Sequence, residues 1–203
     1  MATTSDPSER AKQERRRQIM TAAKHVFAEA GYHGASINAI IERAQIARGT
    51  FYLYFESKSA VFDSILDQAM ADLRARIRRI EVDDAASAPQ MQLRDQVMAT
   101  LEYVVSDRPL ATLLLSAGHT PDAEAAERLG QFFGEVQDLL RRAMETGMEI
   151  GLLRKVDPEL AAAAMLGMFR GVIEQLIRDP NSKATDHVVS EMLMVALRGV
   201  LAT

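Results

Sequence analysis

One stretch of the chain, residues 36–58, constrains the fold more than any other, because it reads as two short helices joined by a tight turn. In its first half, apolar residues recur at the spacing of one helical face, namely Ile37, Ile40, Ile41 and Ala44. Ser36 stands just before them and is predicted to cap this helix by accepting from the free amides of its first turn. Residues 45–47 form the connection. A helix, a short turn and a second helix rich in hydrogen-bond donors is the layout of a helix-turn-helix DNA reader.

The second short helix carries side chains that suit a DNA groove on one side and a protein core on the other. Phe51 and Phe55 are predicted to turn inward. The outward side is predicted to face DNA and comprises Arg48, Gly49, Thr50, Tyr52 and Tyr54. The guanidinium of Arg48 matches guanine edges or phosphate, and Gly49 lets the backbone come close to a partner. Lys58 begins the next helix, where an ammonium near free backbone amides favours phosphate.

These residues belong to a longer pattern, IMTAAKHVFAEAGYHGASINAI followed by IARGTFYLYFESKSAVFDSIL. From about Arg16 to Leu66 the pattern resembles the DNA-binding domain of the TetR family of transcriptional regulators. The resemblance implies an all-α homodimer that binds a double-stranded DNA operator and responds to a small-molecule effector. The implied phosphate contacts are Ser36, Tyr54 and Lys58, and the implied contacts to bases or the groove floor are Arg48, Thr50 and Tyr52. Leu53 departs from the polar residue often found at its position in the family, which leaves two alternatives, namely that it packs on a thymine methyl or that it has no role in readout.

The charge of the chain is spread unevenly along its length. Residues 1–60 hold nine Lys/Arg and six Asp/Glu, a balance of +3, whereas the whole chain carries a net charge of −4. An acidic protein with one basic end is expected to present only that end to a polyanion. The basic run 15–17 is by itself typical of a solvated helix face, but beside a helix-turn-helix it is predicted to touch phosphates.

The whole chain reads as an all-α protein of about nine helices, because helical stretches follow one another without strand alternation. The first helix is predicted to run from about Arg10 to Gly31, after a polar tail. We predict an N-terminal helix-turn-helix DNA-binding domain over residues 1–58. A larger helical domain for ligand binding and dimerisation is predicted over residues 59–203.

The last two predicted helices are more apolar than the core of one subunit requires. The penultimate helix repeats small residues four apart, which would let another helix approach closely. The predicted dimer interface takes residues from both helices, namely Ala163, Gly167, Gly171, Met192 and Ala196. The resemblance agrees, since it implies a four-helix bundle formed by the last two helices of each subunit. The alternative is that these faces belong to the internal core.

A ligand pocket is predicted among the helices that follow the DNA-binding domain. Methionine and aromatic side chains suit a large or adaptable apolar ligand. The candidate lining residues are Met70, Met98, Tyr103, Leu114, His119, Phe132, Phe133, Met144 and Phe169. Such residues at helical spacing are more often ordinary core, so the identity of the effector stays open.

The sequence lacks the motifs that would indicate an enzyme. Its four histidines are scattered, there is no cysteine, and neither GxSxG, a P-loop nor GxGxxG occurs. No catalytic residue, metal or cofactor is therefore expected. With no apolar run that looks long enough to cross a membrane, a cytoplasmic protein without a membrane partner is predicted.

Taken together, these features predict a dimeric repressor that releases its operator when a small, apolar ligand binds the C-terminal domain. Two alternatives use the same DNA-binding head, by which we mean the predicted domain of residues 1–58. One is an activator, and the other is a ligand-binding protein whose head is degenerate and no longer binds DNA. A third is an architectural DNA binder without sequence preference, which the net negative charge disfavours because nonspecific attraction to DNA is electrostatic.

Overall fold

The computed structural model describes residues 6–81, 88–116, 122–179, 187–188, 190–192 and 194–195. Within these ranges the chain is helical and contains no strand. The bounded helices are α1 Pro7–Gly34, α2 Ile37–Ala44, α3 Arg48–Tyr52, α4 Lys58–Arg76, α5 Pro89–Ser106, α6 Arg108–Leu115, α7 Ala123–Glu149 and α8 Pro158–Arg178. The described residues between 187 and 195 are also helical and add a ninth helix. The predicted all-α fold of about nine helices is confirmed.

The ends of α1 follow from its capping residues. The carboxylate of Asp6 accepts from the backbone N–H of Ser8 at 3.1 Å, and Pro7 occupies the first helical position. The helix therefore begins three residues before the predicted Arg10. At the other end Gly31 has φ 68°, which breaks the helical run where the sequence predicted its end. A last turn then leads to Gly34.

The described residues divide into two compact units. The first contains the residues up to Gln68 together with Thr112–Leu129, and the second contains Ala69–Ala111 together with the residues from Gly130 onward. The predicted domain boundary after residue 58 coincides with the start of α4, whereas the unit that contains the helix-turn-helix extends ten residues further along that helix.

An aromatic cluster forms the centre of the first unit. The rings of Phe27, Tyr32 and Phe62 lie with centroids 4.8–5.5 Å apart, joining the end of α1 to α4. Ile40 from α2 and Phe51 from α3 are completely buried, and buried residues of α1 and α4 contribute to the same unit's core. A bidentate ion pair between Arg43 and Glu29, with both N–O distances 2.6 Å, ties α2 to α1. The short helices α2 and α3 are thus held by neighbours from elsewhere in the unit.

Two apolar clusters lie in the core of the second unit among the described residues. In the first, Val97 and Leu101 of α5 pack against Met192, with partly buried residues of α5 and α8 around them. In the second, Met144 of α7 packs against Leu152 and Leu153 of the connection to α8. Both clusters consist of aliphatic and methionine side chains at their centres.

Candidate nucleic-acid interface

The N-terminus of α2 is fixed by the residue predicted to cap it. The hydroxyl oxygen of Ser36 accepts from the backbone N–H of Ala39 at 3.1 Å, and Ser36 itself has extended φ/ψ. The capping prediction is confirmed. Because the hydroxyl is exposed as well as bonded, its remaining lone pair and its proton face solvent at the surface of the unit.

The turn between α2 and α3 is closed without glycine. Gln45 adopts the left-handed conformation, with φ 53° and ψ 46°, which costs a non-glycine residue about 1–2 kcal/mol. Backbone N–H groups of Gln45 and Ile46 donate to Ile41, and the amide of Gln18 in α1 donates to Ala44 O at 2.7 Å. These bonds satisfy the last carbonyls of α2 and set the direction in which α3 leaves the turn.

The five-residue helix α3 presents its aromatic residues as the sequence predicted. Phe51 and Phe55 are buried, with exposed fractions of 0 % and 3 %, whereas Tyr52 is 45 % exposed. The ring of Tyr52 packs edge-on against Phe51, with centroids 5.4 Å apart. Tyr54 is partly exposed. Burial of the phenylalanines therefore orients the outward face of α3.

Arg48 opens α3 at the exposed surface and is held in place by two neighbours. Its Nη1 donates to the side-chain oxygen of Asn38 at 3.0 Å, and its guanidinium carbon lies 5.8 Å from the ring centroid of Tyr52. An arginine with five donors keeps several of them for a further partner after one such bond. Asn38 was not predicted as a site residue. Its position two residues after the Ser36 cap, on the polar side of α2, could have indicated a role at the surface near α3.

The surface at Gly49 and Thr50 is open. A Cβ added at Gly49 would meet no heavy atom within 4 Å among the described residues. The glycine is therefore not required by packing within the part of the chain that the structure describes. Thr50, one residue later, is partly exposed.

Lys58 makes contacts inside the first unit that the sequence did not predict. Its ammonium donates to the backbone carbonyls of Tyr32 at 2.7 Å and Ala35 at 3.2 Å, and it lies 4.2 Å from the ring centroid of Tyr32. Burial, with the carboxylates of Glu124 and Asp122, raises the pKa of Tyr32 to about 12, so the phenol under the ammonium stays neutral. Lys58 thus ties the start of α4 to the α1–α2 corner and retains one N–H for another acceptor.

We expect Lys58→Met to lower the free energy of unfolding by about 1–3 kcal/mol, because two carbonyls lose a charged donor. If the ammonium also holds a phosphate, the salt dependence of operator binding should fall by about one unit of slope. Thermal unfolding measures the first effect and a salt titration measures the second. Lys58→Arg, which keeps charge and donors, is the control. Unchanged stability would contradict the structural role, and an unchanged slope would remove the phosphate contact.

The basic run at residues 15–17 does not form a common surface of unengaged charges. Arg16 donates to the hydroxyl of Ser64 at 2.8 Å and lies over the ring of Phe55, 4.8 Å from its centroid. Arg17 pairs with Glu14 at 2.7 Å. Phosphate contact by this run stays a prediction, because Arg16 is exposed and keeps further donors beside its contacts with α4 and with Phe55.

Two family models match the chain. One, described as bacterial regulatory proteins of the tetR family, covers residues 19–65, and the other, described as the tetracyclin repressor-like C-terminal domain, covers residues 86–174. The chain belongs to the TetR family. Members of this family are DNA-binding transcriptional regulators rather than enzymes, and the first matched region of this TetR-family protein includes α2 and α3.

Relatives of this TetR-family chain match it over nearly its whole length. The HTH-type transcriptional repressor DhaR of Mycobacterium sp. (strain GP1) is 26 % identical over 190 residues, 91 % of this chain and 95 % of that protein. A solved fatty acid degradation regulator FadR from Bacillus halodurans is 25 % identical, with a TM-score of 0.74, covering 90 % and 94 % of the two chains. FadR from Bacillus subtilis, solved with stearoyl-CoA, has the same TM-score at 20 % identity, covering 90 % and 98 %.

The predicted pocket residues of this TetR-family chain do not all lie in one cluster. Met98 and Phe169 pack around the Val97 cluster, and Met144 is part of the other cluster of the second unit. Met70 and Phe132 are buried, and Phe133 lies beneath the guanidinium of Arg170, 4.8 Å from its ring centroid. Leu114 is buried in the first unit. His119 lies outside the described residues.

Tyr103 is the polar member of the predicted pocket, and its hydroxyl is already engaged. It donates to the carboxylate of Asp72 at 3.0 Å, and the guanidinium of Arg76 lies 4.1 Å from its ring centroid. Burial and then the Asp72 carboxylate raise the pKa of Tyr103 well above its ordinary value. These contacts join α4 to α5 within the second unit.

The predicted interface residues divide into exposed and buried ones. Ala163, Gly167 and Gly171 are all exposed on α8, and a Cβ added at either glycine would meet nothing within 4 Å among the described residues. Met192 is 5 % exposed and packs on Val97 and Leu101 in its own subunit, so the prediction that it forms the interface is wrong. Among the described residues of the helix that contains Met192, Met194 and Val195 are exposed apolar residues, at 43 % and 69 %. Ala196 lies outside the described residues.

Proposed function

We propose that this chain is a cytoplasmic homodimeric repressor that binds a double-stranded operator through α2 and α3 and releases it when a small apolar molecule binds its second unit. The observation that carries the proposal is the outward face of α3. Arg48, Thr50 and Tyr52 offer donors there, while the backbone at Gly49 is unobstructed. Donors on a helix whose backbone can approach a groove closely fit direct readout of base edges.

The surface of α8 supports a dimer. The helix is rich in apolar residues, yet only Ala162 and Leu176 among its residues are buried in one subunit. Leu160 is 71 % exposed, and the small residues Ala163, Gly167 and Gly171 continue along the exposed surface. Small side chains allow another helix to approach closely, and a second copy of α8 would cover this surface. Two subunits would then present two heads to successive major grooves about 34–36 Å apart.

A membrane is the competing partner for α8, because by length and composition this helix could cross one. Arg170 opposes that interpretation. It lies near the middle of the helix, with its guanidinium over the ring of Phe133 in α7. A charge at the centre of a membrane span costs about 2.5–3.5 kcal/mol. Packing of α8 on α5 through Met168 and Phe169 further favours a helix that belongs to a folded domain.

The effector proposal rests on the composition of the second unit. Met98, Met144 and Phe169 lie in or beside its two apolar clusters, and methionine adapts to ligands of varied shape. A protein of the same fold, FadR from Bacillus subtilis, was solved in complex with stearoyl-CoA, whose acyl chain is apolar. A ligand in this unit releases DNA only to the extent that it binds one arrangement of the two heads better than the other.

Operator binding tests the proposal with the purified chain and labelled fragments of its own upstream region, in the presence of excess nonspecific DNA. We expect one fragment to be retained, and Arg48→Ala to weaken its binding by about 1–3 kcal/mol and relax the preference at one base pair. Arg154→Ala, an exposed arginine of the second unit, is the control. Stearoyl-CoA serves as a probe for release.

Other outcomes of this experiment identify the alternatives. Equal competition by nonspecific DNA would indicate an architectural binder, and no binding to any fragment would leave a ligand-binding protein with a degenerate head. If the operator is bound but the bound protein raises transcription in vitro, the chain is an activator.

A further inference from the structure

Leu53 follows α3 directly and has the most exposed large apolar side chain among the described residues. It is 79 % exposed, compared with 45 % for its neighbour Tyr52. An isobutyl group in water loses the favourable free energy that burial would give it. Its exposure on the DNA-binding head makes it available to a partner outside the subunit.

The backbone places Leu53 on the same face as Gly49. Leu53 has right-handed helical geometry, with φ −72° and ψ −20°, and its N–H donates to Gly49 O at 3.2 Å. The two residues are thus one helical turn apart and lie above one another on the helix surface. A bare backbone position is followed, one turn on, by a protruding apolar side chain. A groove floor that approaches Gly49 would therefore also approach Leu53.

DNA offers one apolar group at the floor of the major groove. Base edges there present donors and acceptors except at thymine, whose C5-methyl is the only methyl among the four bases. Of the neighbours of Leu53 in α3, Arg48 carries no methyl and Thr50 carries one that is only partly exposed, so the protruding Leu53 is the residue of this face best suited to a methyl. A protein partner is disfavoured, because one leucine beside a tyrosine is far smaller than a specific protein interface.

We propose that Leu53 reads the C5-methyl group of one thymine in each operator half-site and so determines specificity at that base pair. This inference rests on the proposed function, since it needs the outward face of α3 to enter the major groove. It assigns this role to the most exposed apolar side chain of the face rather than to the methyl of Thr50, which is only partly exposed.

Replacement of thymine by deoxyuridine tests the inference, because it removes only the methyl and keeps base pairing. Operator fragments with one thymine replaced at a time are titrated with the wild type and with Leu53→Ala. At one position in each half-site, the replacement should weaken binding of the wild type about fourfold, which corresponds to the free energy of burying one methyl group. Replacement in both half-sites should weaken binding about fifteenfold.

The variant distinguishes a methyl contact from an effect on DNA shape. Leu53→Ala should bind the unmodified operator more weakly and should not discriminate between thymine and deoxyuridine at that position. Met91→Ala, which shortens an exposed methionine of α5, should retain wild-type discrimination. If the wild type binds its operator but no thymine is sensitive, or if Leu53→Ala keeps the same sensitivity, the inference is overturned while the proposed function stands.

Two further outcomes would also overturn it. Leu53→Ala with normal operator binding in vitro but lost repression in cells would mean that Leu53 contacts another protein. Failure of the wild type to bind any fragment would remove the proposed function and this inference together.

Discussion

Gly167→Arg is expected to convert the chain to a monomer and to weaken operator binding by a factor of about 100 or more. Gly167 is exposed on α8, and an added Cβ has open space within the subunit. The substitution therefore should not strain the subunit itself, and it replaces glycine by a better helix former. Across a close helix–helix interface it would add both bulk and an unpaired charge.

The size of the effect follows from two-headed binding. When two heads are joined, the second binds at the high effective concentration set by the first, which raises affinity by about 10²–10⁴ over one head alone. Loss of the dimer removes this gain. Analytical ultracentrifugation measures the mass, and fluorescence anisotropy with a labelled operator measures the affinity.

Gly134→Arg is the matched control for this experiment. Gly134 is also an exposed helical glycine of the second unit, lies in α7, and has open space at its Cβ. The substitution introduces the same charge without altering α8. The Gly134→Arg protein should therefore remain dimeric and keep its operator affinity. A Gly167→Arg protein that stays dimeric and binds as well as wild type would show that the exposed surface of α8 is not the subunit interface.

Features of the DNA-binding head that arise from neighbouring residues could be predicted from the sequence. The cap at Ser36 and the inward turn of Phe51 and Phe55 depend on spacing within one or two helical turns. The helix break at Gly31 likewise depends on the conformational freedom of one residue. Local periodicity and capping are sufficient to determine such features.

Contacts between residues distant in sequence could not be predicted in the same way. Lys58 reaches the carbonyl of a residue 26 positions earlier, and Arg16 reaches Ser64, 48 positions later. Both side chains have long flexible stems that point equally well to solvent or across the protein surface. The direction that each side chain takes depends on how the helices pack, and a single sequence does not reveal that packing.

The burial of Met192 illustrates a second limit. A helix that packs on its own subunit and also on a partner has apolar residues on both faces, so spacing alone does not assign a residue to either. Met192 lies against Val97, whereas Met194 and Val195 are exposed. The same ambiguity affects the predicted pocket, because Met98 and Phe169 pack around an ordinary core cluster.

Gly49→Ala is expected to change stability and operator binding in opposite directions. Gly49 lies within α3, and the Cβ of an alanine there would have no heavy atom within 4 Å in the described part of the chain. Replacing glycine by alanine where alanine can adopt the same backbone conformation stabilises a protein by about 0.4–1 kcal/mol. For a chain of this size a gain of about 1 kcal/mol corresponds to a rise of about 2–4 °C in Tm. Thermal unfolding by circular dichroism measures it.

The same methyl should weaken operator binding, because a backbone that lies against a groove floor has no room for it. Overpacking a close contact typically costs about 1–3 kcal/mol, which corresponds to a loss of affinity of about 5- to 150-fold. Gly130→Ala, at an exposed glycine of α7, should give the gain in stability without the loss of affinity. If Gly49→Ala bound the operator as tightly as wild type, close approach of DNA at this residue would be excluded, and the glycine would lack an explanation in either partner.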